Sequence, residues 1–181
     1  MDKVTTKKAE IIQQITHYLI ENGVADIGLR RLAEVAGTSD RMLIYYFATK
    51  DALIGQALQT IVANLAAQLD ALLGQEKRTA DELLTALLAL SSTPPFYAVI
   101  QLWFEVIGLA ARGQEPYATN ATAIAATWLQ WIESRLADGQ TEQALPMFAT
   151  LEGRLLLKLV GVGLFQDEGR DKKAKRIAGE G

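Results

Sequence analysis

The residues able to do chemistry fall into two groups. The first lies within residues 37–53, GTSDRMLIYYFATKDAL. A helix over 29–36, a glycine-containing turn and a second helix over 40–47 have the spacing of a helix-turn-helix. Leu32, Val35, Leu43 and Phe47 are placed to lock the two helices at a fixed angle. That leaves Ser39, Arg41, Met42, Tyr45 and Tyr46 on the outer side of the second helix, which could enter a major groove N-terminus first. The second group is aromatic. Phe96, Tyr97, Trp103 and Phe104 fall on one helical stretch, and Trp128 and Trp131 share a face of the next. Such walls suit a small apolar or aromatic ligand, with Glu105 and Arg112 able to orient it. Aromatic residues at helical spacing also serve as plain core, and both uses stay open here.

Other chemistries are short of residues. With no cysteine and a single histidine, His17, thiolate and multi-histidine metal sites are excluded. No GxSxG elbow, phosphate loop or carboxylate pair of clear geometry is present. An enzyme built on Glu105 or Glu152 would lack a paired base or nucleophile. No catalytic residue, metal or cofactor is expected. His17, mid-helix beside Tyr18, reads as a packing or surface residue.

These residues must be held by helices, because helical periodicity dominates and no alternating strand run occurs. Thr5 or Thr6 caps a first helix carrying Ile11, Ile12, Ile15, Leu19 and Ile20 and ending at Asn22-Gly23. Gly37 closes the second helix. Thr38-Ser39-Asp40 offers caps for the third, and Thr49 caps a long fourth helix from Lys50 to about Leu73. Further helices are expected at 79–91, 95–112, 117–137 and 141–165, the last kinked or delayed by Pro146. The uncharged run 83–104 is long enough for a membrane span, but Ser91-Ser92-Thr93-Pro94-Pro95 breaks it into two helices.

Half of the 181 residues are apolar and 22% are charged, which suits a packed core and argues against disorder along the whole length. The net charge of −3 is unevenly spread. Residues 1–54 carry seven Lys/Arg and seven Asp/Glu, 55–168 carry six against twelve, and 169–181 carry five against two. Any nucleic-acid function must come from the placement of charge. The N-terminal MDKVTTKKAE lacks the apolar core of a signal peptide, so a cytoplasmic location with no membrane partner is expected.

Tyr46, Phe47, Thr49, Lys50, Asp51 and Leu53 complete a YF-x-[ST]-K-[DE]-x-L pattern, preceded by LRRLAEVAG at 29–37. Over about residues 8–54 the chain resembles the tetracycline-repressor (TetR) family of transcriptional regulators. The resemblance implies an all-α fold. A three-helix helix-turn-helix DNA-binding domain (1–49) is joined by a long helix to a helical dimerisation and ligand-binding domain (50–168), with a disordered tail (169–181). It implies phosphate contacts from Tyr45, Tyr46 and Lys50, the last at a helix N-terminus that favours an anion. It implies base-edge reading by Asp40, Arg41 and Met42. There are departures. Arg41 replaces a commonly small residue, Ile44 stands where tyrosine is usual, and Gly28 stands where Ser or Thr often caps. Asp40 faces a polyanion. These departures, with the neutral charge balance of 1–54, motivate an alternative: a ligand-binding or scaffold protein of the same fold that has lost operator recognition.

In this family the C-terminal domain forms the homodimer and binds a small effector. The last helices are apolar enough to support that. Leu151, Leu155, Leu159, Val162 and Phe165 form one stripe, with Leu156 and Val160 adding a second. With the helix at 117–137 they suit a four-helix interface between two copies. The partners implied are a double-stranded, palindromic DNA operator, a second copy of the chain and an unknown small-molecule effector.

Overall fold

The computed structural model describes residues 3–162, and the expected tail and Phe165 lie outside the described residues. Eight α-helices account for most of them: α1 (Lys3–Asn22), α2 (Leu29–Val35), α3 (Asp40–Phe47), α4 (Lys50–Leu73), α5 (Ala80–Leu90), α6 (Pro94–Ala110), α7 (Tyr117–Arg135) and α8 (Ala144–Leu159). The only β feature among the described residues is an isolated bridge between Arg78 and Leu136.

Local chemistry sets most helix ends. Ser39 Oγ accepts from the Met42 N–H and Thr49 Oγ1 from the Ala52 N–H, capping α3 and α4. Thr79 and Glu82 form a capping box on α5. Gly28 leaves α2 without a side-chain cap. Helix α1 begins by Lys3, upstream of the expected Thr5 or Thr6 cap. Pro94 and Pro95 open α6, where their missing N–H groups cost nothing, and α5 and α6 meet at 99°. Pro146 falls in the first turn of α8, behind a 3-10 turn at Thr141–Gln143, so the helix starts late and is not kinked. Its end also departs from expectation. Gly161 adopts φ +80, a left-handed geometry that terminates the helix at Leu159 and not at 165.

Two apolar clusters hold the helices together. The first joins Ile11, Ile15 and Leu19 of α1, Leu32 and Leu43 of the helix-turn-helix, Leu53, Ile54 and Leu58 of α4, and Leu102, Val106 and Ile124 of α6 and α7. It runs without a break across the expected division at 49/50. The second gathers Leu69, Leu83, Leu87, Phe96, Ile132, Met147, Leu151 and Leu155, and Trp128 packs against both. Each fully buried aliphatic side chain stabilises the fold by about 1.5–3 kcal/mol relative to exposure. By length and hydropathy α4 matches a membrane span, but its apolar side lies within the first cluster, against α1 and α7.

Helix α8 corrects one expectation. Leu151 and Leu155, read as part of a partner-facing stripe, are turned inward and buried. Val162 of the same stripe stays exposed, and so does the second stripe, Leu156 (46% exposed) and Val160 (66%), extended by Leu145 (63%).

Candidate nucleic-acid interface and ligand cavity

The recognition face is built as the pattern of apolar residues dictates. Leu32, Leu43 and Phe47 are buried between α2, α3 and the core. Ser39, Asp40, Arg41, Met42 and Tyr45 consequently stand exposed along one side of α3, with Tyr45 69% exposed. Tyr46 is half-buried, edge-on to both Tyr45 and Phe47 at 5.3 and 6.4 Å between ring centres. Ile44 is exposed on the same helix, an apolar surface where a hydroxyl would serve DNA better. Lys50, half-buried in the first turn of α4, donates to the Ile27 carbonyl at 3.2 Å. Arg30 and Arg31 both pair with Glu34, at 3.6 and 3.4 Å, and Arg31 also donates to the Tyr18 hydroxyl. Their charge is spent within the domain. His17 is exposed beside Glu21.

Between α1 and α2 runs a short connector that the other helices hold. Glu105 on α6 accepts from the Val24 N–H at 3.1 Å and the Ala25 N–H at 2.7 Å. Tyr117 on α7 donates its buried hydroxyl to the Val24 carbonyl at 3.0 Å. Burial, and then the nearby negative charges of Glu105, Asp51 and Asp26, push the Tyr117 phenol above its ordinary value, so it remains a donor. Gly23 is required here twice over. Its φ is +79, and a Cβ would run into the Glu105 carboxylate. Glu105 was expected to orient a ligand. It faces the connector instead, because two backbone N–H groups offer it better partners than an apolar cavity.

The cavity itself occupies about 110 Å³ between α4, α5, α6, α7 and α8. Of the expected ligand-binding residues, Phe96, Trp103, Trp128 and Trp131 line it. Tyr97 does not, and Arg112 is exposed at the end of α6. Trp128 and Trp131 stand edge to face, 5.8 Å apart. Leu151 and Leu155 line the cavity, as do Phe148 and Glu152. Glu152 accepts from the Trp103 indole N–H at 2.9 Å. Burial pushes its carboxyl above the usual carboxylate value, and the Trp103 hydrogen bond partly opposes that. Trp103, Phe148 and Glu152 also border an outer groove reaching Phe104, Ile107 and Leu156, so they form the wall between cavity and surface.

Trp131 is anchored from behind. Its indole donates to Asp70 Oδ1 at 2.8 Å, and Asp70 is ion-paired with the buried Arg135. Arg135 also donates to Gln75 Oε1 at 2.6 Å, tying the ends of α4 and α7 together. Nothing in the spacing of these residues announced the cluster. Among the described residues no group of three or more His, Asp or Glu could hold a metal ion.

The described residues form an all-α protein with a helix-turn-helix at α2 and α3 and an apolar cavity among α4 to α8. Residues 11–57 match the model of the bacterial regulatory proteins of the tetR family. Over that segment the chain is similar to the family's DNA-binding region, and the described residues share an all-α fold with the solved structures that follow. No curated protein sequence matches the chain. Among solved structures it is similar to a TetR-family member from Streptomyces coelicolor A3, with TM-score 0.64, 22% identity, and 94% and 96% of the two chains covered. It is similar to the multidrug binding protein EbrR complexed with proflavin, with TM-score 0.65, 23% identity, and 93% and 96% covered. It also resembles the transcriptional regulator FadR from Bacillus subtilis in complex with stearoyl-CoA, with TM-score 0.61, 15% identity, and 87% and 89% covered.

Proposed function

We propose that the protein is a homodimeric, ligand-responsive repressor. It binds a palindromic DNA operator in the cytoplasm and is released by a small apolar or aromatic effector. The observation that carries this reading lies on α6. Trp103 forms part of the cavity wall, and Glu105, two residues on, holds the backbone of the α1–α2 connector. A helix moves as a rigid element, so a ligand that displaces Trp103 also displaces the group holding the DNA-binding domain. The ligand favours whichever arrangement it binds better, by its differential affinity for the two.

In the DNA complex Asp40, Arg41 and Met42 face base edges, and Ser39, Tyr45, Tyr46 and Lys50 face the backbone. Lys50 has to exchange its Ile27 carbonyl for a phosphate, or serve both. Two recognition helices related by a two-fold axis read half-sites about one helical turn apart. The second copy covers the outward stripe of α8, Leu145, Leu156 and Val160, with the adjoining face of α7. The role is binding, not catalysis.

The test is DNA binding by the full chain as a function of salt. Genomic footprinting supplies the operator, and fluorescence anisotropy measures its affinity and that of random DNA. A log-log salt slope of several phosphate contacts is expected, reduced by about one in Lys50→Ala with operator and random DNA weakened alike. No binding to any DNA at low salt would favour the alternative in which the fold has lost operator recognition.

A further inference from the structure

The chain's three tryptophans all line one cavity, and apart from Ser91 and Glu152 every other lining residue is aliphatic or aromatic. Ser91 is already engaged: its hydroxyl donates to the Leu88 carbonyl at 2.6 Å and accepts from Lys158 Nζ at 3.2 Å. Glu152 is different. It has no ion pair among the described residues, and its hydrogen bond from Trp103 uses one of the several acceptor positions a carboxylate offers. Lys158, further along α8, has its ammonium held by the hydroxyls of Ser91 and Ser92, at 3.2 and 2.5 Å, where α5 meets α6. An acidic group on an apolar, indole-rich wall is costly unless something compensates it. The related fold holds proflavin in one protein and stearoyl-CoA in another, so the fold does not choose the ligand's charge. The side chains must.

We propose that the cavity takes a small lipophilic monocation, a quaternary ammonium or an N-alkylated aromatic ring, with Glu152 as its counter-charge and the indoles of Trp103, Trp128 and Trp131 as its walls. This rests on the ligand-responsive reading above and specifies the effector's class. A primary ammonium fits less well, because the cavity offers too few acceptors to replace its water. A methylated or delocalised cation is weakly hydrated and is attracted both to the carboxylate and to indole rings. A cavity of about 110 Å³ is somewhat smaller than the roughly 150 Å³ that holds one benzene ring, so a substituted ring enters by a modest opening of the wall toward the outer groove. Because Glu152 and Trp103 also form the wall to the outer groove, the carboxylate meets the cation on entry.

Three probes with one ring and similar shape separate the possibilities: phenyltrimethylammonium, its neutral isostere tert-butylbenzene, and benzenesulfonate. Binding to the full chain is read from tryptophan fluorescence, which reports on the cavity because all three indoles lie there. Glu152→Gln keeps an acceptor for Trp103 and removes the charge. Phenyltrimethylammonium should bind the native chain more tightly than benzenesulfonate and lose about tenfold or more in Glu152→Gln, while tert-butylbenzene changes by less than about twofold. An unchanged ammonium affinity, or equal losses for ammonium and isostere, overturns the proposal. Binding of tert-butylbenzene without the ammonium overturns the cation and leaves the ligand cavity standing. No response to any probe overturns both. The comparison of ammonium with sulfonate needs no variant, and a sulfonate that binds as tightly overturns the proposal by itself.

Discussion

Arg41 and Glu152 are opposite kinds of residue to read. Arg41 lies two positions after the Ser39 cap and is exposed, so its outward place on α3 was legible from local spacing. Its planar fork matches guanine O6 and N7. Arg41→Ala should cost about 1–3 kcal/mol at the operator and relax preference at one G·C pair per half-site. Binding-site selection at one salt concentration checks it. Identical motifs with uniformly lower affinity would make Arg41 a phosphate anchor. Glu152 entered the sequence reading only as a pocket carboxylate of the rival enzyme and not among the expected ligand-binding residues, because one carboxylate between apolar stripes reads equally well as a solvent-facing position. Its environment makes a separate prediction. A carboxyl whose folded value lies above its unfolded value favours folding at low pH, and that contribution is lost as pH rises through the folded value. Glu152→Gln should therefore raise the thermal midpoint at pH 7, with the gain disappearing below about pH 4, where the unfolded carboxyl is also protonated. Superimposable midpoint-against-pH curves would place Glu152 in water.

Helix α8 marks the limit of periodicity as a guide at the next scale. It carries two apolar stripes less than a turn apart, and either phase satisfies a helical pattern. Packing resolves the ambiguity: Leu151 and Leu155 enter the second cluster, and Leu145, Leu156 and Val160 are left outside. The two stripes should respond differently to charge. Leu156→Glu should leave the monomer folded and abolish dimerisation in sedimentation. Leu151→Glu should destabilise the fold itself, since it buries an unpaired charge. A fully dimeric Leu156→Glu would move the interface to another face. Helix α6 carries the second prediction at this scale. Glu105→Ala leaves the buried Val24 N–H unserved, which should cost about 1–3 kcal/mol in stability. It should also reduce the release of DNA by effector, because the link from the cavity wall to the connector is cut. Release of undiminished size in that variant would route the coupling through other contacts, such as those of α4 with α1 and α7.

Over the whole molecule, the helix order and the helix-turn-helix geometry of α2 and α3 were readable because each rests on local signals: caps, glycine stops and the spacing of Leu32, Leu43 and Phe47. Contacts between distant segments were not. The bonds from Glu105 and Tyr117 to Val24 span 81 and 93 residues. The Asp70–Arg135–Trp131 cluster joins helix ends more than 60 residues apart. No pattern within either segment encodes its partner, because a backbone N–H donates to any carboxylate the fold delivers. The continuous first cluster has the same origin, with α6 and α7 contributing Leu102, Val106 and Ile124 to a core that crosses the boundary expected at 49/50.

The Val24 peptide groups have a consequence for anyone who recombines such regulators. Both its N–H and its carbonyl are satisfied by side chains from α6 and α7, not by the N-terminal helices it connects. The helix-turn-helix segment, with the connector before it, is thus not a self-sufficient cassette. Transplanted onto a foreign sensor, it would carry an orphaned backbone unit into the new joint unless the recipient offered a carboxylate and a hydroxyl in the places of Glu105 and Tyr117. Compatibility between readers and sensors of this architecture is in that sense written into two side chains of the sensor, and a hybrid designed with them in place should retain the ability to be switched.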